Sequence, residues 1–171
     1  MRNRPDKFEK YFLRILSGVF LVSLPFLFRK NNIKDSILIF AINGYTNSIA
    51  DRFLVNRRIL KYPVRLLAKD FKFNFVFDVL FYPAFSLFLY RWTKNDNPLK
   101  ILYKTLLGVS SIFFVELWAE KNTDLIKWQK GWKWYHSFIS LNLKSLSSRA
   151  LIAAIKMKAE KQEQQQEQQE Q

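Results

Sequence analysis

Four long apolar runs, each containing several aromatic residues, alternate with clusters of Lys and Arg along this chain. They occupy residues 11–28, 36–55, 71–90 and 101–120. A helix needs about 20 residues to cross the hydrocarbon core of a bilayer, and each run is close to that length. The charges that interrupt the runs stand near their ends, where long side chains reach the interface. The pattern predicts an all-α, polytopic membrane protein with four transmembrane helices.

Residues 134–155, within a further segment at 134–157, are also long enough for a fifth span. Read as a helix, the segment carries an apolar stripe on one side, and its polar side chains share another: Ser140, Lys144, Ser147 and Ser148. Spanning would bury Lys144 and Arg149 at about 2.5 to 3.5 kcal/mol each. We therefore predict an amphipathic helix that lies in the membrane interface. A helix packed on the cytoplasmic face of the bundle fits the same spacing.

The chain ends in residues 159–171, which are dominated by Gln and Glu. This composition offers no apolar anchor and predicts a disordered tail. Residues 1–158 are then a single membrane domain.

The distribution of Lys and Arg predicts the orientation. With four spans, the N-terminus, the loop at residues 51–72 and everything after Glu120 share one side and hold twenty-one basic residues. The two opposite turns hold seven. Because basic loops stay in the cytoplasm, we expect a multi-pass protein of the cell membrane with both termini cytoplasmic.

Composition modifies this picture only in part. The chain is 49% hydrophobic with 17 Phe and a net charge of +14. Its mean hydropathy of -0.13 is low for a membrane protein, because the basic loops and the polar tail offset the apolar runs. It contains no cysteine, which excludes disulfides and thiolate metal sites.

Polar residues recur inside the predicted spans. Asn43, Asn47 and Asp51 stand at i, i+4 and i+8 and share one helix face. Given the predicted directions of the helices, Asp51, Asp78 and Glu116 all lie in the cytoplasmic third of the bundle. Arg14 of the first span lies at a similar depth. The candidate intramembrane polar cluster is Arg14, Asn43, Asn47, Asp51, Asp78 and Glu116. Such groups either pair to join helices or form an ion, proton or substrate site.

The most distinctive local sequence follows the fourth run and interleaves Trp with Lys. Indole rings prefer the headgroup level and Lys attracts anionic phosphates, so we interpret it as an interfacial anchor. A specific lipid or partner site, or stacking on single-stranded nucleic acid, uses similar residues. The candidate lipid and interface residues are Lys127, Trp128, Lys130, Trp132, Lys133 and Trp134.

Catalytic and metal signatures are missing from the sequence. His136 is the only histidine and has no acidic residue at ligand spacing. No Walker loop, G-x-S-x-G or H-E-x-x-H occurs. We therefore predict no metal, no cofactor and no enzymatic activity.

Several separated strings carry a resemblance to a known family. They are Lys61-Tyr62-Pro63-Val64-Arg65-Leu66-Leu67, Phe77-Asp78-Val79-Leu80-Phe81-Tyr82-Pro83, Glu116-Leu117-Trp118-Ala119-Glu120, residues 123–127 and Gly131-Trp132-Lys133-Trp134-Tyr135-His136-Ser137-Phe138. In this order they resemble a family of small, uncharacterised multi-pass membrane proteins from endospore-forming, Gram-positive bacteria. The resemblance implies a location in the plasma membrane or the forespore membrane. It implies no activity, and the Gln/Glu tail is not part of it.

Two functional hypotheses follow. The first is a non-enzymatic membrane component that binds anionic lipid, or a partner protein, through its basic cytoplasmic surface. The alternative is a small ion- or proton-coupled carrier that uses the intramembrane acidic cluster. Either could act as a homo-oligomer, and nucleic acid is not an expected partner.

Overall fold

Residues 7–28 and 33–169 are described by a computed structural model of the chain. Within them the α-helices are α1 (Lys7–Phe28), α2 (Ile33–Asn56), α3 (Tyr82–Trp92), α4 (Pro98–Asn122) and α5 (Trp134–Gln169). A π-helix, Val76–Phe81, leads directly into α3. The basic residues before Lys7, most of the predicted first turn and the end of the predicted tail lie outside the described residues.

Successive helices run in opposite directions. At one end of the bundle, Leu54 of α2, Ala119 of α4 and Trp132, just before α5, belong to one apolar cluster. At the other end, Ile39 of α2 and Ile152 of α5 meet in another. The first end also carries the two long connections, residues 57–75 and 123–133, and is called the loop end below. The all-α fold predicted from the apolar runs is confirmed.

Two very short strands join the connections at the loop end. They are β1 (Leu60–Lys61) and β2 (Lys127–Trp128), which pair antiparallel with Leu60 opposite Trp128. Gln129 also donates its backbone N–H to the carbonyl of Ile59 at 2.8 Å. The ladder thereby ties the chain that leaves α2 to the chain that leaves α4.

In the described part of the chain, three helices are long and apolar enough to cross a membrane, namely α1, α4 and α5. The first and last predicted spans correspond to α1 and α4. The four-span prediction as a whole is not confirmed, because α5 belongs to this group and α2 does not. The polar face of α2 and the charges near its two ends, Asp35 and Asp51 among them, lower its hydropathy.

The third predicted span, residues 71–90, is helical only from Val76 onward. The regular α-helix is also interrupted before α3, and this interruption has a local cause. Pro83 stands in the first turn of α3 and has no N–H to donate, so the turn before it cannot keep regular α-helical bonding. The chain there widens into the π-helix Val76–Phe81, and Asp78 lies within it. Helices of this type occur frequently at functional sites.

The orientation of α5 differs from that expected of an interfacial helix. Of its predicted apolar stripe, Ile139 and Leu143 are 59% and 64% exposed. The buried positions include Ser137, Asn142 and Ser145, so the side that faces the bundle is largely polar. The helix also continues through residues 158–169, all of them exposed, where composition predicts disorder; Gln, Glu and Lys are good helix formers.

Candidate functional site

A cavity of about 250 Å³ lies between the helices near the loop end. Most of its wall is apolar, with contributions from Leu54 of α2 and Phe81 of the π-helix. Three acidic side chains and one lysine line it: Asp51, Asp78, Glu116 and Lys144. A mostly apolar cavity with a few convergent polar groups is the usual form of a small-molecule site. The structure therefore brings all three candidate acids to one place.

Asp51 and Asp78 form the centre of the site. Oδ1 of Asp51 accepts a hydrogen bond from the Tyr62 hydroxyl at 2.8 Å, and Oδ1 of Asp78 accepts one from Nδ2 of Asn47 at 2.6 Å. The two carboxyl groups line the same cavity and are near enough for their charges to interact. Two buried carboxylates in one site repel each other, so a single proton held by the pair relieves that repulsion.

Each of the two acids keeps one oxygen without a protein donor. Oδ2 of Asp51 and Oδ2 of Asp78 have no such partner in the described part of the chain. Asp51 is 7% exposed and Asp78 is 6% exposed. Buried polar atoms are nearly always paired, so these two oxygens mark where a ligand, a proton or water is held.

Glu116 has a separate set of partners. Its Oε1 accepts hydrogen bonds from Nε1 of Trp128 at 3.1 Å and from the Ser137 hydroxyl at 2.7 Å. Nε1 of Trp132 donates in turn to the Ser137 oxygen at 2.9 Å. These contacts hold the carboxylate in place on α4. Within residues 7–28 and 33–169, no three acidic or histidine side chains are arranged to hold a metal ion.

Lys144 supplies the positive charge of the cavity. Its Nζ lies 3.7 Å from the centroid of the Tyr82 ring, a cation–π contact. It has no hydrogen-bond acceptor among the described residues. The Tyr82 hydroxyl is itself bonded to Oγ of Ser145 at 2.9 Å, which fixes the ring under the ammonium.

Tyr62 closes the cavity from the loop end. It is buried, and its burial, followed by the negative charges of Asp51 and Asp78, raises the pKa of its hydroxyl well above the ordinary value. Tyr62 therefore stays neutral across the physiological range and keeps its proton for the bond to Asp51.

Two members of the predicted polar cluster lie elsewhere. Arg14 is exposed on α1 and does not line the cavity. Asn43 is buried, but it joins helices: its Nδ2 donates to the Ile39 carbonyl at 2.8 Å and its Oδ1 accepts from Ser148 at 2.8 Å. Asn43 thus connects α2 to α5 above the cavity.

The predicted lipid and interface residues divide into two groups. Trp128 and Trp132 turn inward to the Glu116 network, and Lys127 donates to the Glu120 carbonyl at 2.8 Å. The remaining three, Lys130, Lys133 and Trp134, are exposed. Indole N–H groups that are partly buried need acceptors, and Glu116 is within reach once β1 and β2 have paired.

Lys144, Tyr62 and Asn74 are the site residues that sequence patterns did not identify. The polar stripe of α5 did contain Lys144, but the same spacing fits an exposed face. Tyr62 and Asn74 belong to an irregular connection, where no periodicity shows which side chains turn inward.

Comparison with known proteins finds no matching family model, no similar curated protein and no similar solved structure. The resemblance to small membrane proteins of endospore-forming bacteria therefore stays a prediction.

Proposed function

We propose that this chain is an integral membrane protein of five spans whose central cavity binds a small monovalent cation, such as a protonated amine, in exchange for a proton. It is then a small proton-coupled carrier rather than an enzyme. This is the second of the two hypotheses drawn from the sequence, and the contacts of the cavity support it better than the first.

The interior contacts of α5 support its assignment as a fifth span. Besides Lys144 on the Tyr82 ring, Arg149 lies 4.3 Å from the centroid of the Tyr90 ring and donates to the Thr93 carbonyl at 3.1 Å. Charged residues within a membrane usually face the bundle interior and find partners there. These partners offset the cost that favoured an interfacial helix.

Five spans place the two termini on opposite sides. Lys121, Lys127, Lys130 and Lys133 remain at the loop end, together with the basic connection after α2. That end is still the more basic one, so we propose that it faces the cytoplasm and that the C-terminus lies outside.

The observation that carries the function is the pair of buried, unpartnered oxygens on Asp51 and Asp78. The cavity holds three carboxyl groups and one ammonium. With one proton shared between Asp51 and Asp78, and with Lys144 charged, the net charge is about -1. A monovalent cation that displaces the shared proton leaves this net charge unchanged and couples its own binding to proton release.

The test uses the full-length protein in detergent. Ethanolamine is titrated against it, with thermal unfolding and proton release into weakly buffered solution as readouts. We expect saturable stabilisation by ethanolamine, about 1 proton released per site, and a much weaker response to sodium chloride at the same ionic strength.

Asp78→Asn is the informative variant. Its amide oxygen still accepts from Asn47, and the like charges are relieved, so we expect a folded protein that no longer responds to ethanolamine. Asp70→Asn, at an exposed position, is the matched control and should respond normally. An Asp78→Asn protein that binds ethanolamine as the wild type does would refute the proposal.

A second function is favoured by a separate observation. Lys130, Lys133 and Trp134 are exposed together at the loop end, and they follow a helix long enough to span. This exposed group can bind anionic lipid headgroups, as the sequence suggested, although with three members instead of six.

A further inference from the structure

We infer that the ligand of the cavity is a zwitterion, a small molecule that carries an ammonium and an anionic group together. The inference rests on the proposed function and deepens it, since the cation bound between Asp51 and Asp78 becomes one end of a larger polar molecule. Its anionic end lies at Lys144.

The cavity contains buried groups of both signs that do not pair with each other. Oδ2 of Asp51 and Oδ2 of Asp78 lack donors, while Nζ of Lys144 lacks an acceptor, within the described part of the chain. The three side chains line the same cavity. Buried charges are ordinarily paired directly. Buried groups of both signs without direct pairing are therefore expected where a ligand binds to both.

The separation has a structural cause. The ammonium of Lys144 lies on the Tyr82 ring at 3.7 Å from its centroid, and that ring is fixed by the bond of its hydroxyl to Ser145. The two aspartates are fixed by Tyr62 and Asn47. Each side is held by its own partners, and Nζ of Lys144 forms no hydrogen bond with either aspartate.

Asn74 adds a neutral contact that suits both ends of such a ligand. It is 1% exposed and lines the cavity. Neither its Nδ2 nor its Oδ1 has a hydrogen-bond partner in the described residues. A side-chain amide can donate to an anionic group and accept from an ammonium.

The size and the rim of the cavity limit the ligand further. A volume of about 250 Å³ lies below the usual range for drug-sized ligands, about 300–1,000 Å³. Ala50 of α2 and Ser140 of α5 line the cavity and are exposed, so it reaches the surface of the bundle between these helices. A free amino-phosphate compound and the headgroup of an aminophospholipid share the required chemistry.

The experiment compares three soluble probes on the full-length protein in detergent by calorimetric titration: ethanolamine, inorganic phosphate and O-phosphoethanolamine. We expect O-phosphoethanolamine to bind at least about tenfold more tightly than ethanolamine, and phosphate to bind weakly. Dihexanoyl-phosphatidylethanolamine, with dihexanoyl-phosphatidylglycerol as its control without an ammonium, then distinguishes the sources. Tighter binding of the first lipid than of O-phosphoethanolamine indicates a lipid headgroup, and equal binding indicates a free compound.

Lys144→Gln should abolish the preference for O-phosphoethanolamine while ethanolamine still binds. Lys158→Gln, at an exposed position on the same helix, should retain the preference. If Lys144→Gln does not fold, the comparison of probes on the wild-type protein decides alone.

The possible failures are distinct. Equal binding of ethanolamine and O-phosphoethanolamine by the wild type, or an unchanged preference in folded Lys144→Gln, overturns the zwitterion inference and leaves the cation site standing. If none of the amine probes binds, both the zwitterion inference and the proposed function fail.

Discussion

The hydroxyl of Tyr62 donates a hydrogen bond of 2.8 Å to Oδ1 of Asp51, and this bond joins the connection after α2 to the acid pair of the cavity. Tyr62 directly follows β1, which pairs with β2. β2 in turn contains Trp128, a donor to Glu116. The loop end is therefore attached to two of the three acids of the cavity, Asp51 and Glu116, through phenol and indole hydrogens.

Replacing Tyr62 by Phe should destabilise the protein by about 1 to 3 kcal/mol, because it leaves a buried carboxylate oxygen without its donor. Denaturant unfolding in a mild detergent measures the change. Tyr45→Phe, at an exposed position of α2, removes the same hydroxyl and should alter stability very little. Equal effects of the two substitutions would show that the bond to Asp51 contributes nothing.

The same tyrosine predicts a pH dependence. Its pKa is raised in the folded protein, so the folded state holds the phenolic proton more tightly than the unfolded state does. The resulting stabilisation is complete below the unfolded pKa of about 10 and is lost as the pH rises above it toward the folded value. We expect the stability difference between the wild type and Tyr62→Phe to shrink above that pH, and a constant difference would contradict the assignment.

The five-span topology is testable with single cysteines, since the chain has none of its own. A membrane-impermeant maleimide applied to intact cells should label Gln165→Cys and Asn95→Cys but not Asp70→Cys, and all three after lysis. Labelling of Asn95→Cys but not of Gln165→Cys would instead support the four-span topology, with an interfacial α5 and a cytoplasmic C-terminus.

The close packing of α2 against α3 should make Gly44 sensitive to size. A Cβ there would lie 3.3 Å from Cγ of Pro83, whereas a Cβ at Gly18 would meet no atom within 4 Å. Gly44→Val should therefore cost about 1 to 3 kcal/mol of stability through overpacking. Gly18→Val, in α1, is the control and should be tolerated. Similar melting temperatures for both variants would argue against the close approach.

The exposed lysines of the loop end should attract anionic lipid. Changing Lys130 and Lys133 together to Gln should weaken retention of phosphatidylglycerol during purification by about 1 kcal/mol per charge, less at high salt. The matched control changes Lys94 and Lys100, which are exposed at the opposite end. Lipid analysis of the purified proteins measures the difference, and equal retention by both double variants would exclude a specific role.

Local pattern was sufficient for the elements whose cause is local. The length and apolarity of α1 and α4 followed from single runs of residues. The common face of Asn47 and Asp51 also followed from helical periodicity alone. In each case the physics operates within one segment, so no knowledge of neighbouring segments was needed.

By itself, the sequence determined that this is an all-α chain with membrane-length apolar helices and that its ionisable residues concentrate toward one end of the bundle. The tertiary structure alone decided which cation meets the acids, because Arg14 and Lys144 occur at equally plausible depths and only packing turns one outward and the other onto Tyr82. It also decided that Trp128 and Trp132 turn inward and that α5 buries Ser137, Asn142 and Ser145 against the bundle. An amphipathic pattern shows that a helix has two faces, but which face is buried depends on the solvent and on the neighbours that surround it.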